Sequence, residues 1–171
     1  RQEYILGCGL AHVVVDSTRI EQIVVNLAAN AAAAMNPQGR LTFTTTLVDV
    51  SQSEAERFRG CAGPYAEIAV QDSGEGIAPE HLSHIFEPFY TTKPDGAGTG
   101  LGLSTVYGIA RRAGGTVLVE SHTGTGSVFR VRLPVYRTLE PSGSADEAPT
   151  TGVILIVDDE PAIRDLAAAF L

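Results

Sequence analysis

Residues 18–35, TRIEQIVVNLAANAAAAM, predict one long helix with two different faces. The apolar residues that recur at helical spacing, and so predict the core face, are Ile20, Ile23, Val24, Leu27, Ala31 and Met35. On another face Gln22, Asn26 and Asn30 lie four residues apart and form a polar stripe. Because asparagine is a poor helix-interior residue, this stripe indicates either a solvated or hydrogen-bonded face, or an amide ligand for Mg²⁺ beside a phosphate contact.

Signals for both ends of this helix are present. Thr18-Arg19-Ile20-Glu21 matches a capping box, which predicts that Thr18 caps the first turn. Asn36-Pro37-Gln38-Gly39 predicts the end of the helix, because proline and glycine interrupt the helical pattern.

Short alternating segments predict strands on both sides of the helix. The predicted strands lie within 3–15, 41–47, 66–70, 117–120 and 128–133, the last two joined around Gly124-Thr125-Gly126. The segment 51–64 is predicted to be a charged connection. A second helix is predicted over 101–113, ending at Gly114-Gly115.

A carboxylate within a glycine-rich turn follows one of these strands. The turn is Asp72-Ser73-Gly74-Glu75-Gly76, and its simplest interpretation is an ordinary turn held by the aspartate. The alternative is a buried carboxylate that accepts a hydrogen bond from the amino group of adenine. Guanine presents a carbonyl at that position, so such a site would select adenine.

A second glycine-rich stretch, Gly98-Thr99-Gly100-Leu101-Gly102-Leu103, leads directly into the second helix. Backbone amides and a helix N-terminus suit a phosphate chain. The stretch has neither the Walker A pattern nor the Rossmann spacing. The long irregular region 72–100 that precedes it, with one short helix expected at 79–85, is typical of a functional loop.

Composition excludes several classes of function. The 171 residues carry a formal net charge of −8 with a pI near 4.9, so binding to nucleic acid is not expected. Cys8 and Cys61 have no metal-ligand spacing and predict neither a zinc site nor a disulfide framework, which favours a reducing cytoplasm. No apolar run is long enough to cross a bilayer, so this segment is predicted to make no membrane contact, although a parent protein could be anchored elsewhere.

In this order the motifs resemble the catalytic ATP-binding domain of a sensor histidine kinase, within the superfamily that also contains gyrase and chaperone ATPases. The matching segments are Gln22 to Met35 (N box), Asp72 to Gly76 (first glycine box), Ile85-Phe86-Glu87-Pro88-Phe89 (F box), Gly98 to Leu103 (second glycine box) and Gly124 to Phe129 (last glycine box). The resemblance covers nearly all of residues 3–135. It implies an α/β (α+β) two-layer sandwich: a mixed, mostly antiparallel sheet with helices on one face and a long ATP lid over about 78–98.

The resemblance also implies the cofactors, ATP and Mg²⁺, and a role for each site residue. Asn30 would bind Mg²⁺, Asn26 would contact a phosphate or the magnesium, and Lys93 would either reach the β- or γ-phosphate or remain a solvated lid residue. Asp72 would recognise adenine, with Ser127 supporting the base through water. The other expected nucleotide contacts are Gly74, Gly76, Ile77, Gly98, Thr99, Gly100, Leu101, Gly102 and Leu103, while Phe86 and Phe89 would anchor the lid.

Hydrolases of the superfamily place a glutamate where this chain has Asn26. An amide cannot take a proton from water, so transfer to a histidine is favoured over hydrolysis. Glu21 lies off the asparagine stripe and is a weak substitute. Two alternatives remain open: a slow ATP hydrolase of the same fold, and a non-catalytic module that senses a nucleotide or a cyclic dinucleotide.

The expected partner of the site is a histidine-bearing dimerisation domain of the same protein, upstream of this chain. None of the four histidines here has the context of an acceptor; His81 and His84 are predicted to be an exposed pair, and His12 and His122 ordinary strand or loop residues.

Three segments are expected along the chain: an ATP-binding domain over 1–137, a linker over 138–151 and a truncated response-regulator receiver over 152–171. In the last segment Asp158 and Asp159 follow an apolar strand, at the positions where receivers bind Mg²⁺; alternatively these acids only begin a helix. A hybrid kinase with a receiver partner is therefore expected.

Overall fold

The computed structural model describes residues 2–6, 13–35, 38–93 and 98–136. Within them the helices and strands are β1 (Gln2–Leu6), α1 (Ser17–Ala34), β2 (Leu41–Val50), α2 (Gln52–Arg57), β3 (Gly63–Asp72), α3 (Pro79–Leu82), α4 (Gly102–Arg112), β4 (Thr116–His122) and β5 (Gly126–Pro134). The predicted linker and receiver, together with Cys8 and His12, lie outside the described residues. No described helix is long and apolar enough to cross a membrane.

The strands form one sheet in the order β1-β2-β3-β5-β4. β1 runs parallel to β2, and the other neighbours are antiparallel, which confirms the expected mixed, mostly antiparallel sheet. The register places Asp72 opposite Leu41 at one end of β3. Val70 of the central strand β3 pairs with Phe129 of β5, so the carboxylate lies just beyond the apolar part of the sheet.

The main core lies between one face of this sheet and the helices α1 and α4. Its members include Ile23, Leu27 and Ala31 from α1, Val106, Ile109 and Ala110 from α4, and Val70, Phe129 and Val131 from the sheet. These α1 residues belong to the apolar face that the sequence predicts. Burial of this face fixes the rotation of α1, so the asparagine stripe points away from the sheet's apolar centre.

Side chains alternate between the two faces of the sheet along β3, so Tyr65 lies on the face opposite to the main core. Helix α2 packs against that face. Ala55 of α2 is buried with Tyr65 and Val50 in a small separate cluster. The prediction that 51–64 is only a connection was therefore wrong. Ser51 caps this short helix by accepting a hydrogen bond from the Glu54 amide at 3.3 Å, and the buried Ala55 holds it to the sheet.

The prediction that Thr18 caps α1 was also wrong. Asp16 is the capping residue, and its Oδ1 accepts a hydrogen bond from the Thr18 amide at 2.9 Å, which lets the helix begin at Ser17. The hydrogen bond from Thr18 lowers the pKa of the Asp16 carboxyl. Asp16, two residues before Thr18, caps the helix in preference to the Thr18 hydroxyl because its carboxylate brings a negative charge to the positive end of the helix.

Charged side chains cover the outer face of the sheet around Glu67, which is buried despite its charge. Its Oε2 lies 2.7 Å from Arg132 Nε, and its Oε1 lies 3.5 Å from Arg130 Nη1. Arg132 also pairs with Glu54 of α2 at 3.2 Å. The ion pairs therefore connect α2 to the central strands, and a buried carboxylate without them would be costly.

The Glu67→Gln variant is expected to lower the free energy of unfolding by roughly 1–3 kcal/mol, because Arg132 would lose its shortest ion pair in a mostly buried position. Urea denaturation measures the change. The matched control is Glu120→Gln, which removes the exposed partner of Arg130 and should change stability by less than about 0.5 kcal/mol. Equal effects of the two substitutions would contradict a structural role for the buried pair.

Candidate functional site

A cavity of about 800 Å³ opens between α1, the loop after β3, the segment after α3 and the start of α4. All but one of the predicted site residues line it: Asn26, Asn30, Asp72, Gly76, Ile77, Lys93, Gly98, Thr99, Gly100, Leu101, Gly102, Leu103 and Ser127. Gln22 of the same polar stripe lines it as well. The exception is Gly74, which is buried behind the carboxylate rather than in the cavity wall.

Asp72 ends β3 and is only 5% exposed. Its Oδ1 accepts hydrogen bonds from the Gly74 amide at 2.8 Å and from the Ser127 amide at 3.3 Å. Burial raises the pKa of the Asp72 carboxyl above its ordinary 3.8, because removal from water penalises the charged form. The hydrogen bonds from the two backbone amides lower this pKa and offset only part of the effect. Both amides reach the same oxygen, and the side chain lies at the cavity wall.

Backbone hydrogen bonds hold the loop after Asp72 on two sides. The Glu75 amide donates to the Ala34 carbonyl at the end of α1, at 3.0 Å, and the Gly124 amide donates to the Glu75 carbonyl at 2.6 Å. Gly76 has a φ of 71°, and a Cβ at this position would lie 2.2 Å from the His122 carbonyl oxygen. The loop therefore requires glycine here, and it places the carboxylate between α1 and the β4–β5 hairpin.

The asparagine stripe faces the start of α4. A Cβ added to Gly102 would lie 3.5 Å from Asn30 Nδ2 and 3.6 Å from Asn26 Oδ1, so the first turn of α4 almost touches both amides. No side chain caps this helix, whose first amide groups have no partner within the helix. The side-chain amides of Asn26 and Asn30, whose oxygens suit Mg²⁺, thus lie beside a helix N-terminus, which suits anions.

The two ends of the segment 90–99 are joined at Phe89 and Gly100. The Phe89 amide donates to the Gly100 carbonyl at 3.0 Å. Gly100 has a φ of 66°, and a Cβ there would lie 2.3 Å from the Phe89 carbonyl carbon. Glycine is therefore required for this close approach, which brings Lys93 and Gly98 into the cavity wall.

The two phenylalanines of the F box differ in their packing. Phe86 stacks on Tyr107 with ring centroids 5.2 Å apart and packs against the main core, as expected of an anchor. The side chain of Phe89 is 73% exposed, so the prediction that it also anchors the lid was wrong. Its backbone, which has a φ of 67°, is held by the hydrogen bond to Gly100.

The prediction of an exposed histidine pair is confirmed for His84 and wrong for His81. His84 is exposed and pairs with Glu87 at 2.8 Å. His81 lines the cavity, and its Nδ1 lies 2.7 Å from the Tyr90 hydroxyl. Sequence reasoning missed His81 and Tyr90 as cavity residues, because neither the short helix α3 nor the irregular segment that follows it has a spacing that signals such a contact.

Residues 15–137 match the family of histidine kinase-, DNA gyrase B-, and HSP90-like ATPases. Sensor kinase CckA of Brucella abortus is 37% identical over 92% of this chain and 18% of its own length, and sensor histidine kinase ZraS of Salmonella typhi is 40% identical over 74% of this chain and 24% of its own. The chain thus spans less than a quarter of these relatives.

The fold is an α/β sandwich of the kind found in histidine kinase ATPase domains. The structure of full-length ShkA in complex with AMPPNP superposes on this chain with a TM-score of 0.62 and 28% identity. The match covers 78% of this chain and 25% of the ShkA chain. The mycobacterial sensor histidine kinase MprB superposes with a TM-score of 0.61 and 26% identity, and the match covers 78% of this chain and 82% of the MprB chain. The chain belongs to the histidine kinase-, DNA gyrase B- and HSP90-like ATPase family.

Replacing Asp72 by asparagine tests the cost of its buried charge. The amide keeps an oxygen for the two backbone donors but carries no charge. Because the pKa of Asp72 is raised above 3.8, its ionisation lowers wild-type stability as pH rises through the window above that value. The free energy of unfolding of the variant minus that of wild type should therefore increase from about pH 4 upward and level off once Asp72 is ionised. A difference independent of pH, in urea denaturation at a series of pH values, would contradict this.

Proposed function

We propose that this domain binds Mg-ATP and donates the γ-phosphate to a histidine on a separate dimerisation domain in two-component signalling. The observation that carries the proposal is the shared cavity, which is lined by a buried carboxylate and by two helix amides that lie beside the uncapped start of α4. These groups match the two chemically different ends of a nucleoside triphosphate.

At the base end, Asp72 is the adenine-recognising group. Its Oδ1 already accepts two backbone hydrogen bonds, so Oδ2 is the atom that would accept from the exocyclic amino group. An ionised carboxylate only accepts hydrogen bonds, and a guanine carbonyl would leave it without a partner in a buried position. Ser127 and the loop at Gly76 and Ile77 complete this end.

At the phosphate end, Asn30 would bind Mg²⁺ and Asn26 would contact a phosphate or the metal. Bound Mg²⁺ would neutralise phosphate charge. The amides of Gly102 and Leu103 at the start of α4 would bind phosphate oxygens, since the first amides of a helix are free and lie at its positive end. Lys93 lines the same cavity and adds a positive charge. The related ShkA was solved in complex with AMPPNP, an ATP analogue, which supports ATP as the ligand.

Transfer to a histidine is favoured over hydrolysis because, among the described residues of the cavity, neither carboxylate belongs to α1 or α4. Among the described cavity residues the carboxylates are Asp72 and Glu75, and both belong to the loop at the base end. Glu21, the alternative base, is exposed and does not line the cavity. Asn26 occupies the position where the hydrolases carry glutamate, and an amide cannot accept a proton from water.

We also propose that the chain comes from a cytoplasmic part of a hybrid kinase, with the ATP-binding domain over 1–137, a linker over 138–151 and the beginning of a receiver over 152–171. The similarity to CckA covers 92% of this chain and so extends beyond the family match at 15–137. The histidine-bearing dimerisation domain and a receiver would be the protein partners.

Calorimetric titration with ATP, with and without Mg²⁺, tests the assigned roles. Asp72→Asn is expected to weaken ATP binding by about 1–3 kcal/mol, the cost of an unmatched buried polar group, and to reduce the preference for ATP over GTP. Asn30→Ala is expected to remove the Mg²⁺ dependence. Asp49→Asn, an exposed aspartate on β2, is the matched control and should bind as wild type. Unchanged binding in both site variants would refute the roles.

Phosphate transfer from radiolabelled ATP to the parent protein's dimerisation domain, supplied separately, tests the reaction. Asn26→Ala and Asn30→Ala should each lower the transfer rate at least about tenfold, because phosphate positioning supplies most of the catalysis. Glu21→Gln should leave both transfer and the slow release of free phosphate unchanged. Release that depends on Glu21 would instead identify a hydrolase, and binding without any transfer would identify a nucleotide-sensing module.

A further inference from the structure

The side chain of Tyr90 is held by α3 and by the turn that follows this helix. Its hydroxyl oxygen lies 2.7 Å from His81 Nδ1. The ring centroids of His81 and His84 lie 6.1 Å and 5.6 Å from that of Tyr90. His81 and Tyr90 both line the cavity, yet none of the nucleotide contacts proposed for it involves either side chain.

The hydrogen bond between these two residues forms whichever of them donates. A phenolic hydroxyl and a ring nitrogen of histidine can each donate or accept. If the proton of a neutral His81 is on Nε2, Nδ1 accepts from the hydroxyl; if Nδ1 carries a proton, it donates to the hydroxyl oxygen. The contact therefore does not depend on one tautomer of His81.

Tyr90 lies one residue beyond a contact that already holds the backbone. The amide of Phe89 donates to the Gly100 carbonyl at 3.0 Å. One hydrogen bond fixes the position of the chain at that residue, but it leaves the direction of the next residues free. The contact of Tyr90 with His81 adds a second fixed point at the following residue, so together the two contacts set the direction in which the chain continues.

The chain then reaches Lys93 through a tight turn. Thr91 Oγ1 accepts a hydrogen bond from the Lys93 amide at 3.2 Å. A Cβ added to Gly98 would lie 3.2 Å from Thr91 Oγ1 and 3.3 Å from Lys93 Cδ, so both side chains run close to Gly98. All three residues line the cavity. A continuous series of contacts therefore leads from α3 to the stem of the lysine.

We propose that His81 and Tyr90 are positioning residues for phosphate transfer: their hydrogen bond directs the chain so that Lys93 reaches the β- or γ-phosphate. This inference rests on the proposed function, in which the cavity binds ATP and Lys93 contacts its phosphates. A lysine whose backbone is already placed loses less conformational freedom when it meets the phosphate. A charge that needs no rearrangement is also the more effective one in the transition state.

The Tyr90→Phe variant keeps the ring and removes only the hydroxyl. Its kcat/KM for transfer from radiolabelled ATP to the dimerisation domain should fall about two- to tenfold, the range for one net hydrogen bond. Lys93→Ala should lower kcat/KM at least as much. In the Lys93→Ala background Tyr90→Phe should have no further effect, because the two residues act as a unit. Tyr136→Phe, at an exposed tyrosine, is the matched control and should behave as wild type.

Substitutions of His81 test the other half of the pair. His81→Asn places an amide atom at the same position along the side chain as Nδ1, and an amide can donate or accept, so most of the activity should remain. His81→Leu has no polar atom and should lose as much activity as Tyr90→Phe. Equal losses in the two His81 variants would contradict the hydrogen bond. If His81→Leu does not fold, the comparison of Tyr90→Phe with and without Lys93→Ala decides alone.

Inhibition of transfer by AMP separates this role from a direct contact with the nucleotide. AMP has no β- or γ-phosphate, so its inhibition constant should be the same in wild type and in Tyr90→Phe. Weaker inhibition by AMP in the variant would place the hydroxyl against the base, the ribose or the α-phosphate and would overturn the inference.

The outcomes distinguish this inference from the proposed function. A wild-type domain that transfers phosphate, combined with a Tyr90→Phe effect that is absent or that persists in the Lys93→Ala background, overturns this inference alone. A wild-type domain that does not bind ATP overturns the proposed function and this inference with it. A loss that disappears in the Lys93→Ala background, together with activity retained in His81→Asn, supports the inference.

Discussion

The rest of the site depends on burying the charge of Asp72 at the end of β3. A carboxylate in this position loses its hydration, and two backbone amides replace only part of it. The loop that supplies one of those amides is itself held by the end of α1 and by the β4–β5 hairpin. The position of the carboxylate therefore requires that the main helix, the central strand and the edge hairpin are all in place.

Helix α1 serves the core and the cavity at the same time. Its apolar side packs Ile23 and Leu27 against the sheet, and its polar side brings Asn26 and Asn30 to the start of α4. Because α4 packs against the same core, the gap between the amides and Gly102 is set by apolar packing between the two helices. The precision of the polar contacts comes from the rigidity of a close-packed interior.

Much of the architecture could be predicted from periodicity and turn residues. The strands and both long helices follow from apolar spacing and turn residues. Asn26, Asn30 and Asp72 follow from the asparagine stripe and the glycine-rich turn after β3, whereas Lys93 and Ser127 follow only from the family resemblance. The two wrong predictions, that Thr18 caps α1 and that 51–64 is only a connection, have a common cause. Each depended on which residue caps a helix, and several residues could have supplied the cap. The capping residues are Asp16 and Ser51.

Contacts between distant residues could not be predicted in this way. Ser121 and Ser127 meet because of strand register, and His81 of α3 reaches Tyr90 because of the path of the chain after that helix. Neither contact has a spacing that a single sequence displays. Phe86 and Phe89 are both phenylalanines of the same motif, yet Phe86 is partly buried against the main core and Phe89 is exposed.

The pairing of Phe89 with Gly100 has a consequence for how sequences of this kind can vary. It closes the intervening chain into a loop whose base is fixed independently of what lies between. The entropic cost of such a loop rises only by about 0.6 kcal/mol for each doubling of its length. Insertions or deletions between these two residues can therefore accumulate while the first turn of α4 keeps its place over the asparagines.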